Sequence, residues 1–364
     1  MEKAKISAIQ LFVMMFIFEM GTAVVISYGA EARKDAWLAI LLAMCGGIVL
    51  FFIYYFLFRH YPNLSLIGYA RKAFGKYLGW IIGLLYILFF LYISARNVRE
   101  FGDLLLSSTL PQTPLFAINS LFVLIMCYVL YLGIEVVGRT AEVFIVILFF
   151  LGGTGNLLIL LSGNVSLDNL WPFLEDGWKP ILTTAFPNLL VFPFAELLVF
   201  TMLLPYLNRP KLVKKVWLSV LILSSVVLSW TASLNIAVLG IDRFERSTFP
   251  LLSTMGMVNI AEFLQRLDAI VVLTMLITVF FKASIYLYGT VIGMVELFKL
   301  KNHQQILLLT GVILIFWSLM APDTIEHYEE GIFTHYIAIP LHMVIPLLML
   351  LVSLIRNHFK KKSN

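Results

Sequence analysis

Charge is the scarcest commodity in this sequence. Asp, Glu, Lys and Arg make up 13% of the 364 residues, about half the share of a soluble domain. No segment is long and polar enough for a separate soluble domain, so residues 1–364 are expected to form one integral unit. Cysteine is almost missing. Cys45 and Cys127 both fall inside apolar runs, where they read as small core residues and indicate no redox compartment. Histidine occurs six times without metal-ligand spacing, so no metal site is expected. There is no phosphate-binding glycine loop, no serine nucleophile motif and no acid pair clustered in a loop. An enzyme is therefore not expected, and neither is a catalytic residue or a cofactor. The net charge of +5 does not point to nucleic acid, because no basic and aromatic surface module accompanies it.

What fills the chain instead is hydrocarbon. Hydrophobic residues reach 61%, in runs of about 20 that can each span a bilayer core of about 30 Å. The sequence predicts an all-α polytopic membrane protein. Ten spans are placed at roughly 7–30, 36–58, 77–107, 114–133, 139–162, 180–206, 212–240, 266–298, 304–321 and 335–356. The opening MEKAKISAIQLFVMMFIF resembles a signal peptide, but Glu19 interrupts it and no clear small-residue cleavage site follows, so a retained first helix is expected.

With the N-terminus inside, seventeen Lys and Arg fall in cytosolic segments, six in external ones and three within spans. That bias places both termini in the cytosol and favours an even number of spans. The ninth connection is acidic instead, with Asp323, Glu326, Glu329 and Glu330.

Spans one and six each carry a helix breaker beside a glutamate. Glu19 precedes Gly21-Thr22, and Glu196 follows Pro193. Broken helices at corresponding places suggest two copies of five helices in opposite orientation, about 7–162 and 180–356. At Gly21 the helix can relax. A second half-helix is expected to begin near Thr22-Ala23, its free amides suiting an anionic group. Pro187 and Pro193 remove backbone donors, so Phe192-Pro193-Phe194 is a candidate unwound stretch with free carbonyls. For each break the alternative is plain packing or a proline kink.

Other charges lie inside spans, where each costs about 2.5–3.5 kcal/mol on insertion scales. Tyr92, Arg96, Arg99 and Asp103 share one face of span three. Arg96 and Arg99 are expected to pair with Glu100, with Glu196 or with a ligand, or to form a structural ion-pair cluster. Thr278, Lys282, Tyr286 and Gly289 share a face of span eight, and Glu19 is the candidate partner of the Lys282 ammonium. Gly79 with Gly83, and Gly289 with Gly293, have the spacing of close helix packing. Asn164-Val-Ser166 fits a glycosylation acceptor. Lys360-Lys361-Lys362 is an orientation signal that also suits anionic membrane lipid.

Several local patterns occur in a telling order: ISAIQLFVMMFIFEMGTAVV, YPNLSLIGYARKAFGKYLG, FPFAELLVFTMLLPYL, STFPLL and AEFLQRLDAIVVLTMLITVF. In these the chain resembles the B subunit of spore germinant receptors, a branch of the amino acid–polyamine–organocation transporter superfamily. The resemblance implies a subunit in the inner membrane of a bacterial spore. It would bind a small nutrient and act with an A subunit and a lipoprotein C subunit. By position, the nutrient pocket would lie among Gly21, Thr22, Ala23, Tyr92, Arg96, Phe192, Pro193, Phe194, Glu196, Lys282 and Tyr286. Glu19, Arg99 and Glu100 would serve ion pairing or gating. An amino acid permease, or a part of a nutrient-gated channel, remains the alternative.

Overall fold

The computed structural model describes residues 5–258, 267–322 and 334–362. Lys3, Arg266 and the acidic Asp323, Glu326, Glu329 and Glu330 lie outside the described residues. Among the described residues all regular structure is helical, apart from an isolated parallel bridge between Ile6 and Leu207.

Helix α1, Ala8–Met20, is started by its sequence. The Ser7 hydroxyl accepts from the Gln10 amide at 3.0 Å, and the Gln10 side chain accepts from the Ser7 amide at 2.9 Å. This reciprocal cap satisfies two otherwise orphaned donors. The helix ends at Gly21, whose φ of +37° is strained for any residue with a Cβ. The expected second half-helix at Thr22-Ala23 does not form. Residues 21–29 make separate turns instead, with the amides of Val25 and Ile26 both bonded to the Thr22 carbonyl. A 3₁₀ turn, Ala30–Asp35, then leads into α2, Ala36–His60. The turns persist because Gly21 redirects the chain and the Tyr28 hydroxyl ties them to the Leu189 carbonyl at 3.2 Å.

A short helical hairpin follows, α3 (Leu66–Phe74) into α4 (Lys76–Ser108). Gly79 lets the two touch: a Cβ there would stand 2.6 Å from the Arg71 Cα. The other three packing glycines also sit at close approaches, Gly83 and Gly293 against Ile67, and Gly289 against Val199 and Phe90. Helices α5 (Leu115–Tyr131) and α6 (Ile134–Leu161) complete the first half.

The sixth span is interrupted twice. Helix α7, Trp178–Thr183, passes into a wide π turn, Thr184–Leu189, in which Phe186 leaves helical angles. After Phe192-Pro193 the chain resumes as a 3₁₀ helix, Phe194–Met202. Pro187 and Pro193 cannot donate to the preceding turn, which accounts for both interruptions. Then come α8 (Val213–Leu239), the short α9 (Ile241–Arg246) and α10 (Pro250–Gly256), α11 (Asp268–Phe298) and α12 (His303–Met320). The last span begins as π turns, Thr334–Ala338 and Pro340–Val344, and ends as α13, Ile345–Lys362.

Among the described residues, eight helical stretches are long and apolar enough to cross a membrane, and two shorter apolar helices, α1 and α5, occupy the places expected for spans one and four. The core is built around α11, which packs along α4 and also meets α1, α6 and α12. Helix α1 lies against α8, α6 and α11, with ten of its thirteen residues buried. Outward faces of α5 and α6 carry exposed Leu121, Leu124, Val146, Phe149 and Phe150. Apolar surface of this extent is stable where the surrounding medium is lipid.

Candidate ligand site at the two helix breaks

The two breaks meet at Lys282. Its side chain is fully buried on α11, and its Nζ lies 2.5 Å from Glu196 Oε2. That glutamate stands on the first turn of the 3₁₀ helix just past Pro193. The ammonium therefore takes Glu196, whereas Glu19 was the partner expected from sequence. The spacing of Glu19 from its break gave no register between helices; that depends on how α1 rotates against α11, which only packing decides. The rest of the ammonium faces two rings, Phe192 at 4.2 Å and Phe18 at 5.3 Å. Such faces attract cations, more strongly when desolvated.

Lys282 also fills the gap in the first span. A Cβ on Gly21 would stand 2.6 Å from Lys282 Cδ. One turn earlier on α11, the Thr278 hydroxyl donates to the Gly21 carbonyl at 2.7 Å. The carbonyl released by the break is thus held by a side chain, as buried backbone requires. Across the site, the Ser94 hydroxyl of α4 donates to the Ala283 carbonyl at 2.9 Å, which fixes α4 beside the lysine.

Several polar groups here remain unsatisfied. Glu19 is fully buried; Oε2 meets the Ser224 hydroxyl only at 3.5 Å, and Oε1 has no partner among the described residues. Neither has the hydroxyl of Thr22. No hydrogen bond inside the described chain takes the amides of Thr22 and Ala23. Buried donors and acceptors are ordinarily paired, and each left open costs about 1–3 kcal/mol. Those left open here gather where the two broken spans face each other. Two carboxyl groups flank the Lys282 ammonium: Glu196 pairs with it, and Glu19 lies within electrostatic reach of both.

The remaining residues expected at the site divide. Phe192 is there, its ring on the ammonium and 5.9 Å from the Tyr28 ring. Tyr286 is there, its ring 5.2 Å from Phe18. Phe194 turns away and packs on Gly47 of α2. Tyr92 lies 6.1 Å from the Trp317 ring on the α12 side. Arg96 is bound to Glu100 at 2.6 Å, one turn along α4. Arg99 pairs with Asp103 at 2.8 Å and also donates to the carbonyls of Leu319 and Ala321, closing the end of α12. Arg99 thus ties two helices together, as a structural ion-pair cluster does. Sequence reasoning missed Ser224. A serine pair at 224–225 inside an apolar span was the available signal.

A model of the family described as "Spore germination protein" matches residues 5–326. The chain is 40% identical to Spore germination protein KB of Bacillus subtilis (strain 168), over 100% of this chain and 98% of that protein. This chain belongs to the spore germination protein family. Spore germination protein A2 of the same organism is 24% identical, over 89% of this chain and 87% of that one. Among solved structures the fold matches the transporter MHP1, crystallised with bromovinylhydantoin, at a TM-score of 0.70. The match covers 97% of this chain and 90% of that one at 13% identity. It also matches MhsT in complex with L-phenylalanine, at a TM-score of 0.64 and 14% identity, covering 95% and 98%. This family member therefore has a transporter fold.

Proposed function

We propose that this chain is the nutrient-sensing B subunit of a spore germinant receptor, and that the nutrient binds where the first and sixth spans break around Lys282. The observation that carries this reading is the set of open polar groups at that point: the amides of Thr22 and Ala23, the Thr22 hydroxyl and one oxygen of Glu19. Free amides at a helix break suit a carboxylate. The open oxygen of Glu19 suits an ammonium donor. A small amino acid carries both, so it is the ligand class favoured here.

In this reading α1 and α5 complete ten crossings, five plus five in inverted orientation, with both termini on the cytosolic side. Helix α1 is about 20 Å long at 1.5 Å per residue, and the turns at 21–29 carry the crossing further. The nutrient shifts the breaks between two arrangements through unequal affinity for them. The change passes to an A subunit and a lipoprotein C subunit in the inner membrane of the spore.

The test uses spores that carry the full receptor. Lys282→Ala and Thr22→Val should each abolish the response to the receptor's nutrient at unchanged protein abundance, and leave responses through other receptors intact. Normal responses in both would refute the site. The permease alternative is favoured by the likeness to MhsT and MHP1. It predicts uptake of labelled amino acid into vesicles by this chain alone, which the receptor reading does not.

A further inference from the structure

A second space lies on the other side of the first break. It is a cavity of about 420 Å³ enclosed by α1, α6, α8, α10 and α11, with Phe16, Leu148, Val227, Leu251 and Ile270 among its walls. Packed interiors hold few voids larger than a water molecule, and this volume is within the usual range of small-molecule sites.

Its chemistry is one-sided. Four polar side chains besides Trp230 reach the lining, and each is already bonded within the chain. Asn156 donates to the Gly152 carbonyl at 2.7 Å and accepts from the Trp230 indole at 2.6 Å. The hydroxyls of Thr231 and Thr274 donate to carbonyls one turn back, at 2.9 and 2.7 Å. Thr278 is spent on Gly21. No polar side chain is left to recognise a polar guest, and apolar cavities exclude water.

Its mouth faces sideways. Phe149, Val226 and Trp230 line it and are more than half exposed in the middle of their spans. Nothing lies within 4 Å of where a Cβ of Gly152 or Gly153 would stand, so α6 leaves the opening wide. At this depth in a membrane helix, the medium outside is the hydrocarbon of the bilayer.

We infer that this crevice is a binding site for one acyl chain of a membrane lipid, which inserts between α6 and α8 and reaches the break in the first span. Met20, Val24 and Thr278 form the inner wall. The chain end thus rests on the residues that hold Gly21, while Lys282 holds Gly21 from the other side. The Trp230 indole, bonded to Asn156 across the mouth, serves as a strut beside the inserted chain.

The experiment places the full chain in vesicles of phosphatidylcholine brominated on one acyl chain, and reads tryptophan quenching. The difference between the native protein and Trp230→Phe isolates the Trp230 signal. Quenching at Trp230 should saturate at a low fraction of brominated lipid. Gly153→Phe, which fills the opening where there is free space, should remove the saturating part and keep only bulk contact. The same unsaturating quenching in both proteins would overturn the assignment. A lipid with a photoactivatable acyl chain gives a second reading on the unmodified protein. Label on Leu148–Asn156 and Val226–Leu234 supports the site; label confined to other helices overturns it. Crosslinks from Gly153→Cys to a partner protein, with lipid labelling absent, would assign the crevice to a partner helix and overturn the lipid reading as well.

Discussion

Replacing Lys282 by methionine keeps most of its length and removes its charge. The structure sets the expected cost. Lysine and glutamate are both buried, 2.5 Å apart, and the lysine side chain has no exposed surface. Removing one partner of a buried ion pair costs about 3–5 kcal/mol, because the other charge is left uncompensated. Here Glu196 would be stranded, and Glu19 would lose a neighbouring positive charge. Replacing both partners is different. In Lys282→Met with Glu196→Gln, neither unpaired charge remains at the pair, and such replacements are often neutral. The double variant should therefore be more stable than Lys282→Met alone, with a coupling of about 1–3 kcal/mol between the positions. The assay is thermal unfolding of the detergent-solubilised full chain across the four-member cycle, read by tryptophan fluorescence. Additive losses would refute the pairing. If Lys282→Met is instead rescued by Glu19→Gln and not by Glu196→Gln, Glu19 is the working partner.

Three further outcomes follow from the same geometry. Gly21→Ala should destabilise the fold by about 1–3 kcal/mol from backbone strain alone. The methyl would also press on Lys282 Cδ, and Lys282→Met should not restore stability, because the Phe18 carbonyl stands 2.9 Å from the same point; melting curves of the single and double variants check this. Thr278→Val keeps the shape and deletes the bond to the Gly21 carbonyl, for a loss of about 1 kcal/mol; hydrogen exchange of the Val24–Ile26 amides should rise. Phe192→Leu removes the nearer ring from the ammonium and should cost about 0.5–2 kcal/mol, whereas Phe194→Leu, away from the site, should alter stability without changing the concentration of nutrient that gives half response.

The sequence revealed the fold class and the places of both breaks, because those rest on composition and on local chemistry. Runs of apolar residues must cross lipid, Pro193 cannot donate, and Gly21 tolerates angles that other residues do not. What stayed hidden depends on three-dimensional register. Nothing in the spacing of Glu19, Glu196 and Lys282 ranks one glutamate above the other as the partner. The turns at 21–29 were read as helix because Thr22-Ala23-Val24-Val25-Ile26 is apolar and unbroken; the Tyr28 bond to Leu189 that holds them is tertiary. Phe194 was placed in the site by its neighbours in sequence, and a 3₁₀ helix turned it towards Gly47 instead.

One small contact governs how such a molecule can rearrange. The Ile6 amide donates to the Tyr206 carbonyl at 2.9 Å, and the Asn208 amide donates back to Ile6 at 3.0 Å. The ends of the two interrupted spans at Ile6 and Tyr206 are therefore stitched together like two oars in one rowlock. Neither can swing without the other at that end. Rearrangement on nutrient arrival should be sought at the opposite ends, beyond Gly21 and before Phe192, where the side-chain bond of Tyr28 to the Leu189 carbonyl is the tie that has to give.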